Sequence, residues 1–591
     1  MIGKKTLSKF LFWRVKHIST KNFVILLGAI TGLIGGVAAV TLKSAVHWLR
    51  DSFEHLNIPL LYVVLPMIGI LITTFLAKNI LKEKLGHGVT TILYIISKKS
   101  SKISQNKMFS RMVTSGITVG FGGSVGLEAP VVVTGSAIGS NIGQLMHMNY
   151  RQRTLLIGCG AAAAISGIFN SPVAGVIFSI EVILTEVTVA IFIPLLIASV
   201  CGALVSMLLL GDDVLFSFDL KDPFLASDFP YFVLLGILCG LGSVYFTRST
   251  LLAEKLIQQV KSTYLRAIVG GLSIGLIIYF FNPIYGEGYR SIKLILQGQA
   301  NEIINQSLFL AWDSDWVLVV FAFLILLLKP FATGLTIGAG GNGGIFAPSM
   351  FMGALVGFVF AQTGNLLLNG EPLSVSNFTL VGMCGVMSGV LHAPLTAIFL
   401  IAEITSGYTL FLPLMLVSAI GYYASQYFEK YSFYTSKLIE SGDIIPYDKA
   451  KQLLSLMQIN RLIEKDLLII KPEETLAGLV SLVKKSHRNI FPVVTSENEL
   501  VGIITLDDIR EIMFDHDSQK SVIVSTLMHK PPAIIKADEK MQQVMNSFET
   551  TGAWNLPVVD ENGYVGIVSK SRIFNAYRTM LKRQKKGLEL T

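Results

Sequence analysis

Two glycine-rich segments, each ending in proline, contain the residues of this chain best suited to chemistry. Residues 122–130 have the sequence GGSVGLEAP, and residues 340–348, 218 positions later, have the sequence GGNGGIFAP. The first copy adds one ionisable side chain, Glu128, to an otherwise apolar segment. A helix that begins after such a cluster presents free backbone N–H groups and a partial positive charge, which bind anions without a fixed cation. The pattern therefore predicts an anion site beside a buried carboxylate.

A second pair of segments repeats in the same way. Residues 167–172, GIFNSP, lead to Glu181, and residues 389–394, GVLHAP, lead to Glu403, 222 positions after Glu181. The similar offsets indicate one unit present twice. Glycine and proline that interrupt apolar runs are typical of broken membrane helices, because non-helical backbone in hydrocarbon must be surrounded by protein or by a water-filled cavity. We therefore expect a buried polar pathway between two repeats.

The elements that position these segments are predicted to be membrane helices. Hydrophobic residues make up 52% of the 591 residues and charged residues 15%, and the mean hydropathy is +0.61, which excludes an ordinary soluble domain. The predicted fold is a polytopic all-α membrane protein with duplicated repeats, expected to be inverted, and broken helices. Apolar runs of spanning length begin near Phe23, Leu60, Val187, Phe232, Ile268, Val317 and Phe411.

Charge and cysteine usage narrow the function classes. The basic residues before the first span have no acidic residue among them, which predicts a cytoplasmic N-terminus. We expect a multi-pass protein of the plasma or inner membrane, with both termini cytoplasmic. This topology explains much of the net charge of +9, so no nucleic acid partner is expected. The four cysteines lie in apolar segments without ligand-like spacing, and no metal site is predicted.

The composition changes near Lys437, after which charges are frequent and apolar runs have the length of strands. Two hairpins of β-branched strands are predicted there, each followed by a helical stretch. This pair of α+β units resembles a tandem CBS (Bateman) module over residues 455–582. The predicted strands are 491–494 with 501–505 and 556–559 with 565–569, and the helical stretches are 506–513 and 570–581.

Four motifs occur in order along the chain: GHGV at 86–89, GLEAP at 126–130, GIFAP at 344–348 and SFYT at 432–435. Together they resemble the CLC family of chloride channels and chloride/proton antiporters. The resemblance implies a homodimer with one anion pathway in each subunit. The implied regions are a basic N-terminus (1–21), a transmembrane pathway (22–438, with halves 22–210 and 229–438), a linker (439–454), a first CBS unit (455–515), a second CBS unit (522–582) and a basic tail (583–591).

The resemblance also implies roles for single residues. Glu128 would be the gating carboxylate, which competes with chloride for the backbone N–H groups until it is protonated or displaced. His87 stands where many members have a serine that contacts the ion; its side chain could donate an N–H, become charged, or turn aside and leave a backbone N–H to act. The implied anion-binding residues are Ile345 and Phe346 at the central ion, Leu127 and Ala129 just outside it, Tyr434 at the inner end, and His87.

The position of proton coupling departs from the family antiporters. They usually have a second glutamate immediately after the position of Glu181, and here that residue is Val182. This favours a passive, channel-like anion pathway. The alternative is a chloride/proton antiporter that uses Glu186 or water as its inner relay. A CBS-regulated divalent cation channel is a remote alternative, and an enzyme is not expected. The sequence leaves open the choice among chloride, nitrate, bromide and fluoride.

The CBS pair suggests a nucleotide partner. Such modules often bind adenine nucleotides through a hydroxyl residue and an Asp three positions later, and Thr505 and Asp508 fit this pattern in the first unit. In the second unit Ser569 is followed by Arg572 instead. ATP or AMP is therefore expected, if at all, at the first unit, and a purely structural role that stabilises a dimer is an equal alternative. No other cofactor is required.

Overall fold

The computed structural model describes residues 9–54 (except 10, 12 and 15), 61–83, 85–184, 189–211, 225–304, 315–367, 371–405, 407–440, 457–486 and 488–586. The chain divides into two compact units, Met1–Asp443 and Ile444–Thr591. The first unit is helical, and the second combines helices with two small sheets. The fold class predicted from the sequence is thus confirmed.

The helices of the first unit fall into two successive series. The first series consists of α1 (Thr20–Glu54), α2 (Leu61–Phe75), α3 (Gly88–Lys98), α4 (Ser110–Gly120), α5 (Glu128–Leu145), α6 (Tyr150–Phe169), α7 (Pro172–Phe178) and α8 (Val189–Leu210). The second consists of α9 (Phe229–Gln258), α10 (Thr263–Phe280), α11 (Tyr289–Leu296), α12 (Asp315–Ala339), α13 (Phe346–Leu367), α14 (Val375–Leu391), α15 (Pro394–Ile404), α16 (Phe411–Phe428) and α17 (Phe433–Glu440).

Eight helices within the described ranges are long and apolar enough to cross a membrane. Two of them, Tyr150–Phe169 and Phe346–Leu367, have mean hydropathies of only 1.3 and 1.5 and were not predicted as spans. Small residues contribute to the low value of Tyr150–Phe169, because alanine and glycine fill its interior positions. Of its most apolar stretch of 18 residues, 89% is buried inside the protein. The chain is therefore a multi-pass membrane protein in which some spans are shielded by others.

The same close helix crossing occurs in both series. A Cβ added to Gly135 on α5 would overlap the carbonyl oxygen of Gly160 on α6, and one added to Gly353 on α13 would overlap that of Gly382 on α14. Glycine at a crossing lets two backbones approach, which is how membrane helices associate when burial of apolar surface offers little gain. These paired crossings hold the glycine-rich breaks before α5 and α13 in fixed positions.

The second unit contains both predicted hairpins. Strands β1 (Ile490–Val494) and β2 (Leu500–Thr505) pair antiparallel, as do β4 (Asn555–Asp560) and β5 (Gly563–Ser569), and β3 (Ile535–Lys536) joins β4 in parallel. The helix after β2 is shorter than predicted. The remaining helices are α18 (Leu476–Lys485), α19 (Leu506–Ile509), α20 (His516–Ser521), α21 (Val524–Leu527), α22 (Met541–Thr551) and α23 (Lys570–Lys586).

The two halves of this unit interlock through their ends. Met457, Ile459 and Leu462 precede the first hairpin in the sequence but pack in the core of the second hairpin. Correspondingly, His529 pairs with Ile503 on β2 of the first hairpin. Because the core of the second hairpin includes a segment that precedes the first hairpin, we expect the two CBS-like halves to fold as one body.

Candidate functional site

The two glycine-rich breaks meet at the centre of the membrane unit. The backbone N–H of Gly126 donates to the carbonyl of Gly344 at 2.8 Å, and the N–H of Gly344 donates to the carbonyl of Gly126 at 2.7 Å. Helix α5 begins two residues after Gly126, and helix α13 begins two residues after Gly344. The positive ends of two helices are thereby brought to one junction.

Two threonines hold this junction in a symmetric way. The Thr118 hydroxyl oxygen accepts the backbone N–H of Asn342 at 3.1 Å, and the Thr336 hydroxyl oxygen accepts that of Ser124 at 3.2 Å. Each threonine therefore binds the break of the other repeat. The chain enters each break through a glycine with positive φ, +91° at Gly122 and +113° at Gly340, a conformation that glycine adopts without a steric penalty.

Glu128, the predicted gate, is the first residue of α5 and is 1% exposed. Its Oε1 accepts a hydrogen bond of 2.5 Å from the Tyr289 hydroxyl. Its Oε2 is buried and has no hydrogen-bond partner within the described part of the chain. This oxygen lies over Gly126, where an added Cβ would overlap it, and the backbone N–H of Ala347 also interacts favourably with the carboxylate. The carboxylate thus sits between the two helix starts.

The other predicted anion ligands surround the same junction. Leu127, Ala129, Ile345 and Phe346 are each at most 3% exposed. A Cβ added to Gly344 would lie 2.8 Å from the Cβ of Ala129, so glycine there is needed for the close approach of the two breaks. The structure therefore brings these residues together with Glu128, while their binding of an anion stays a prediction.

A second carboxylate, that of Glu287, binds a backbone N–H group at this junction. The backbone N–H of Leu127 donates to Glu287 Oε1 at 3.1 Å. Glu287 is partly buried and lines a cavity of about 280 Å³ together with the basic residues Lys43, Arg50, Arg290 and Lys293. Neither Glu287 nor Tyr289 was predicted from the sequence. Both belong to the segment GEGY at 286–289, whose paired glycines were the available signal.

Tyr434 lies on the other side of the junction, on α17, and is 2% exposed. Its main-chain carbonyl accepts the Thr90 hydroxyl at 3.0 Å. The tyrosine is close enough to Glu128 for an electrostatic interaction with that carboxylate. The structure thus places Tyr434 near Glu128, and its role at the inner end of an anion site stays a prediction.

The side chain of His87 turns to a buried ionic cluster. Its Nε2 lies 3.1 Å from Glu254 Oε2 and 2.5 Å from Lys437 Nζ, and the lysine Nζ also lies 2.5 Å from that carboxylate oxygen. The ring packs edge-on against Phe433. Of the options that the sequence left open, this geometry favours a His87 side chain that turns aside from the anion site and leaves a backbone N–H to act there. Glu254 and Lys437 were not predicted, because they are distant in sequence and belong to no motif.

Glu181 and Glu403 form reciprocal helix caps. Glu181 accepts the backbone N–H groups of Leu395 and Thr396 at the start of α15, and Glu403 accepts those of two residues at the start of α7. These contacts support a structural role for both carboxylates. Val182 is partly buried beside Glu181, and Glu186 lies outside the described residues.

In the second unit, the candidate ribose ligands bind each other. The hydroxyl and the N–H of Thr505 donate to Asp508 Oδ2 at 2.7 and 2.6 Å. The Ser569 hydroxyl instead donates to Glu464 Oε1 at 2.6 Å. The hydrogen bond from Arg488 lowers the pKa of the exposed Asp466 carboxyl.

Across the described residues, no group of three or more His, Cys, Asp or Glu side chains could hold a metal ion.

Comparisons with known proteins agree with this geometry. A chloride channel protein CLC-f of Arabidopsis thaliana is 26% identical over 577 residues, which cover 84% of this chain and 70% of the relative. An H(+)/Cl(-) exchange transporter ClcA of Vibrio vulnificus is 25% identical over 439 residues, which cover 71% of this chain and 88% of the relative.

Solved structures show the same fold. A slow cyanobacterial Cl−/H+ antiporter has a TM-score of 0.61 at 22% identity, covering 71% of this chain and 97% of its own. A eukaryotic CLC transporter has a TM-score of 0.60 at 19% identity, and the match covers 93% of this chain and 97% of the transporter. Residues 68–426 match the model of the family described as voltage gated chloride channel, and residues 459–515 and 524–579 match CBS domains. The resemblance seen in the sequence is confirmed, and the chain belongs to the voltage gated chloride channel family, with two CBS domains in its C-terminal part.

Proposed function

We propose that this protein passes chloride or a similar small anion through the membrane by a passive pathway that Glu128 gates. The observation behind this proposal is the position of the Glu128 carboxylate between the starts of α5 and α13. A carboxylate in that position competes with an anion for the same backbone N–H groups. Protonation or displacement of the carboxylate would free them.

Buried cations near the junction support binding by backbone groups rather than by fixed charges. The Lys329 ammonium donates to the carbonyls of Gly286 and Ile284 at 2.9 and 3.3 Å. A guanidinium nitrogen of Arg111 donates to the carbonyl of Gly86 at 3.2 Å. Their charges are thus engaged by carbonyl oxygens. Partial charges at helix ends bind an anion more weakly than a bare ammonium, which suits release as well as binding.

Val182 favours passive movement over proton exchange, because a valine cannot relay a proton. The second candidate function is chloride/proton exchange with Glu186 or water as the inner relay. A relative named as an H(+)/Cl(-) exchange transporter is consistent with exchange.

Reconstitution into liposomes separates the two functions. The purified full chain is placed between different chloride concentrations, and the reversal potential is recorded while the pH difference is varied. A passive pathway reverses near the chloride equilibrium potential, about 59 mV for a tenfold gradient of a monovalent ion, at every pH difference. A reversal potential that moves with the pH gradient would establish exchange, and Glu186→Gln would then test the inner relay.

Assembly and location are part of the same proposal. We expect a homodimer in the plasma or inner membrane with both termini in the cytoplasm. Each subunit already contains both halves of the duplicated site, so each should conduct alone. ATP or AMP at Thr505 and Asp508 would regulate the flux rather than take part in it. Titration calorimetry of the full chain with each nucleotide tests this expectation, and no heat at millimolar nucleotide would leave the CBS pair with a structural role.

A further inference from the structure

The residue Glu287 places a second carboxylate at the anion site. Its Oε1 accepts the backbone N–H of Leu127, and Leu127 directly precedes Glu128, whose carboxylate lies at the helix junction. An N–H group that binds a carboxylate is not available to an anion at the same moment. Two carboxylates from different parts of the chain therefore compete with the anion at adjoining backbone positions.

The loop that carries Glu287 is held firmly in place. Gly286 and Gly288 flank the glutamate with φ values of +60° and +92°, which set the turn before α11. The carbonyl of Gly286 accepts a hydrogen bond of 2.9 Å from Lys329, a lysine with 0% exposure. A Cβ at Gly288 would lie 2.6 Å from the ring of Phe351. These contacts thus fix the position of the backbone that carries Glu287.

The cavity beside Glu287 is basic. Lys43, Arg50, Arg290 and Lys293 line it, together with Leu127 and Glu287 itself. Lys43 and Arg50 interact favourably with the Glu287 carboxylate, and Glu128 repels it. Positive charges around such a cavity raise the local concentration of anions. An anion attracted into the cavity therefore meets Glu287 before it reaches the seat of Glu128.

We propose that Glu287 is a second gating carboxylate, which occupies the Leu127 N–H and must be displaced before an anion from the basic cavity binds there. This proposal rests on the function proposed above and adds a specific competitor to it. The carboxylate lowers the apparent anion affinity, because each binding event must break its hydrogen bond. Glu287 and Glu128 act at neighbouring positions, and removal of either one leaves the other as a competitor.

Equilibrium anion binding tests the proposal. Chloride is titrated into the purified full chain by calorimetry, with Glu287→Gln compared with the wild type. The amide keeps the size of the side chain but binds the N–H without a charge, so we expect chloride affinity to increase about tenfold, since hydrogen bonds to charged groups are the stronger ones. Asp51→Asn is the matched control. Asp51 is exposed on α1 and interacts with His47 of the same cavity, and its removal should leave the affinity unchanged.

Two further variants separate the effect of Glu287 from misfolding and from the effect of Glu128. Glu287→Asp retains the charge but shortens the reach, so it should also increase the affinity and covers the case in which the glutamine variant does not fold. In the Glu128→Gln background, Glu287→Gln should increase affinity again. If Glu128→Gln responds and neither Glu287 variant differs from the wild type, the second gate is refuted and the function stands. If neither the wild type nor Glu128→Gln binds or passes anions, the proposed function and the second gate are both refuted.

Discussion

Tyr289→Phe should open the anion pathway without touching the gating carboxylate itself. The Tyr289 hydroxyl donates to Glu128 Oε1 at 2.5 Å, while the other carboxylate oxygen has no hydrogen-bond partner in the described residues. The tyrosine hydroxyl is therefore the side-chain group that keeps the carboxylate in its seat. Phenylalanine preserves the ring and its edge-on contact with Phe169, so the change removes a hydrogen bond and little packing.

The size of the effect follows from the charge on the acceptor. A hydrogen bond to a charged group contributes about 1.5–3 kcal/mol. Its loss should shift the equilibrium between the seated and displaced carboxylate by roughly 10- to 100-fold, since 1.4 kcal/mol corresponds to a factor of ten. Where the seated form dominates, the anion flux increases by the same factor.

The assay is chloride efflux from liposomes that contain a known amount of protein, near pH 7. Tyr285→Phe is the matched control, because the Tyr285 hydroxyl donates to the carbonyl of Gly120 at 3.2 Å. The control should leave efflux within a factor of about two, because its bond joins neutral groups and is not part of the proposed gate. Equal increases in both variants, or no increase in Tyr289→Phe, would refute the hydroxyl as the gate's restraint.

Three further expectations can be measured. Glu128→Gln should raise flux and remove the part of the pH dependence that Glu128 causes, and an unchanged flux and pH response would exclude this residue from the gate. Glu403→Ala, which leaves two backbone N–H groups of α7 without their acceptor, should lower stability by about 1–3 kcal/mol, seen as a lower temperature of thermal aggregation than in the wild type. Thr505→Ala with Asp508→Ala should weaken ATP or AMP binding while maximal flux is retained; unchanged affinity would place any nucleotide elsewhere.

The repeated breaks and their partners could be predicted because their physical causes are local. A glycine cluster followed by proline interrupts a helix wherever it occurs, and a glutamate inside apolar sequence is costly enough to indicate function. The relation between Glu181 and Glu403 followed from the repeat alone, and the structure gives that relation its physical content, since each carboxylate caps the helix start of the other repeat.

The spans were harder to predict than the glycine-rich breaks. Hydropathy measures the affinity of a segment for lipid, and helix α6 is surrounded by protein instead of lipid. Its alanines and glycines are chosen for close packing against neighbouring helices, which lowers the hydropathy on which span prediction depends. The sequence therefore indicates the outer helices of such a protein better than its inner ones.

The contacts to the Glu128 carboxylate and to the Leu127 N–H depend on tertiary structure, and no local sequence signal was strong enough to predict them. Tyr289 reaches Glu128 across 161 positions of sequence, and Glu287 reaches Leu127 across 160. These contacts come from one loop, GEGY, which has no counterpart in the duplicated motifs. The duplication thus builds a symmetric pair of helix starts, and an asymmetric loop then adds both a hydroxyl that binds the Glu128 carboxylate and a second carboxylate. Under the proposed gating mechanism, substitutions in this loop would alter gating without any change in the duplicated motifs.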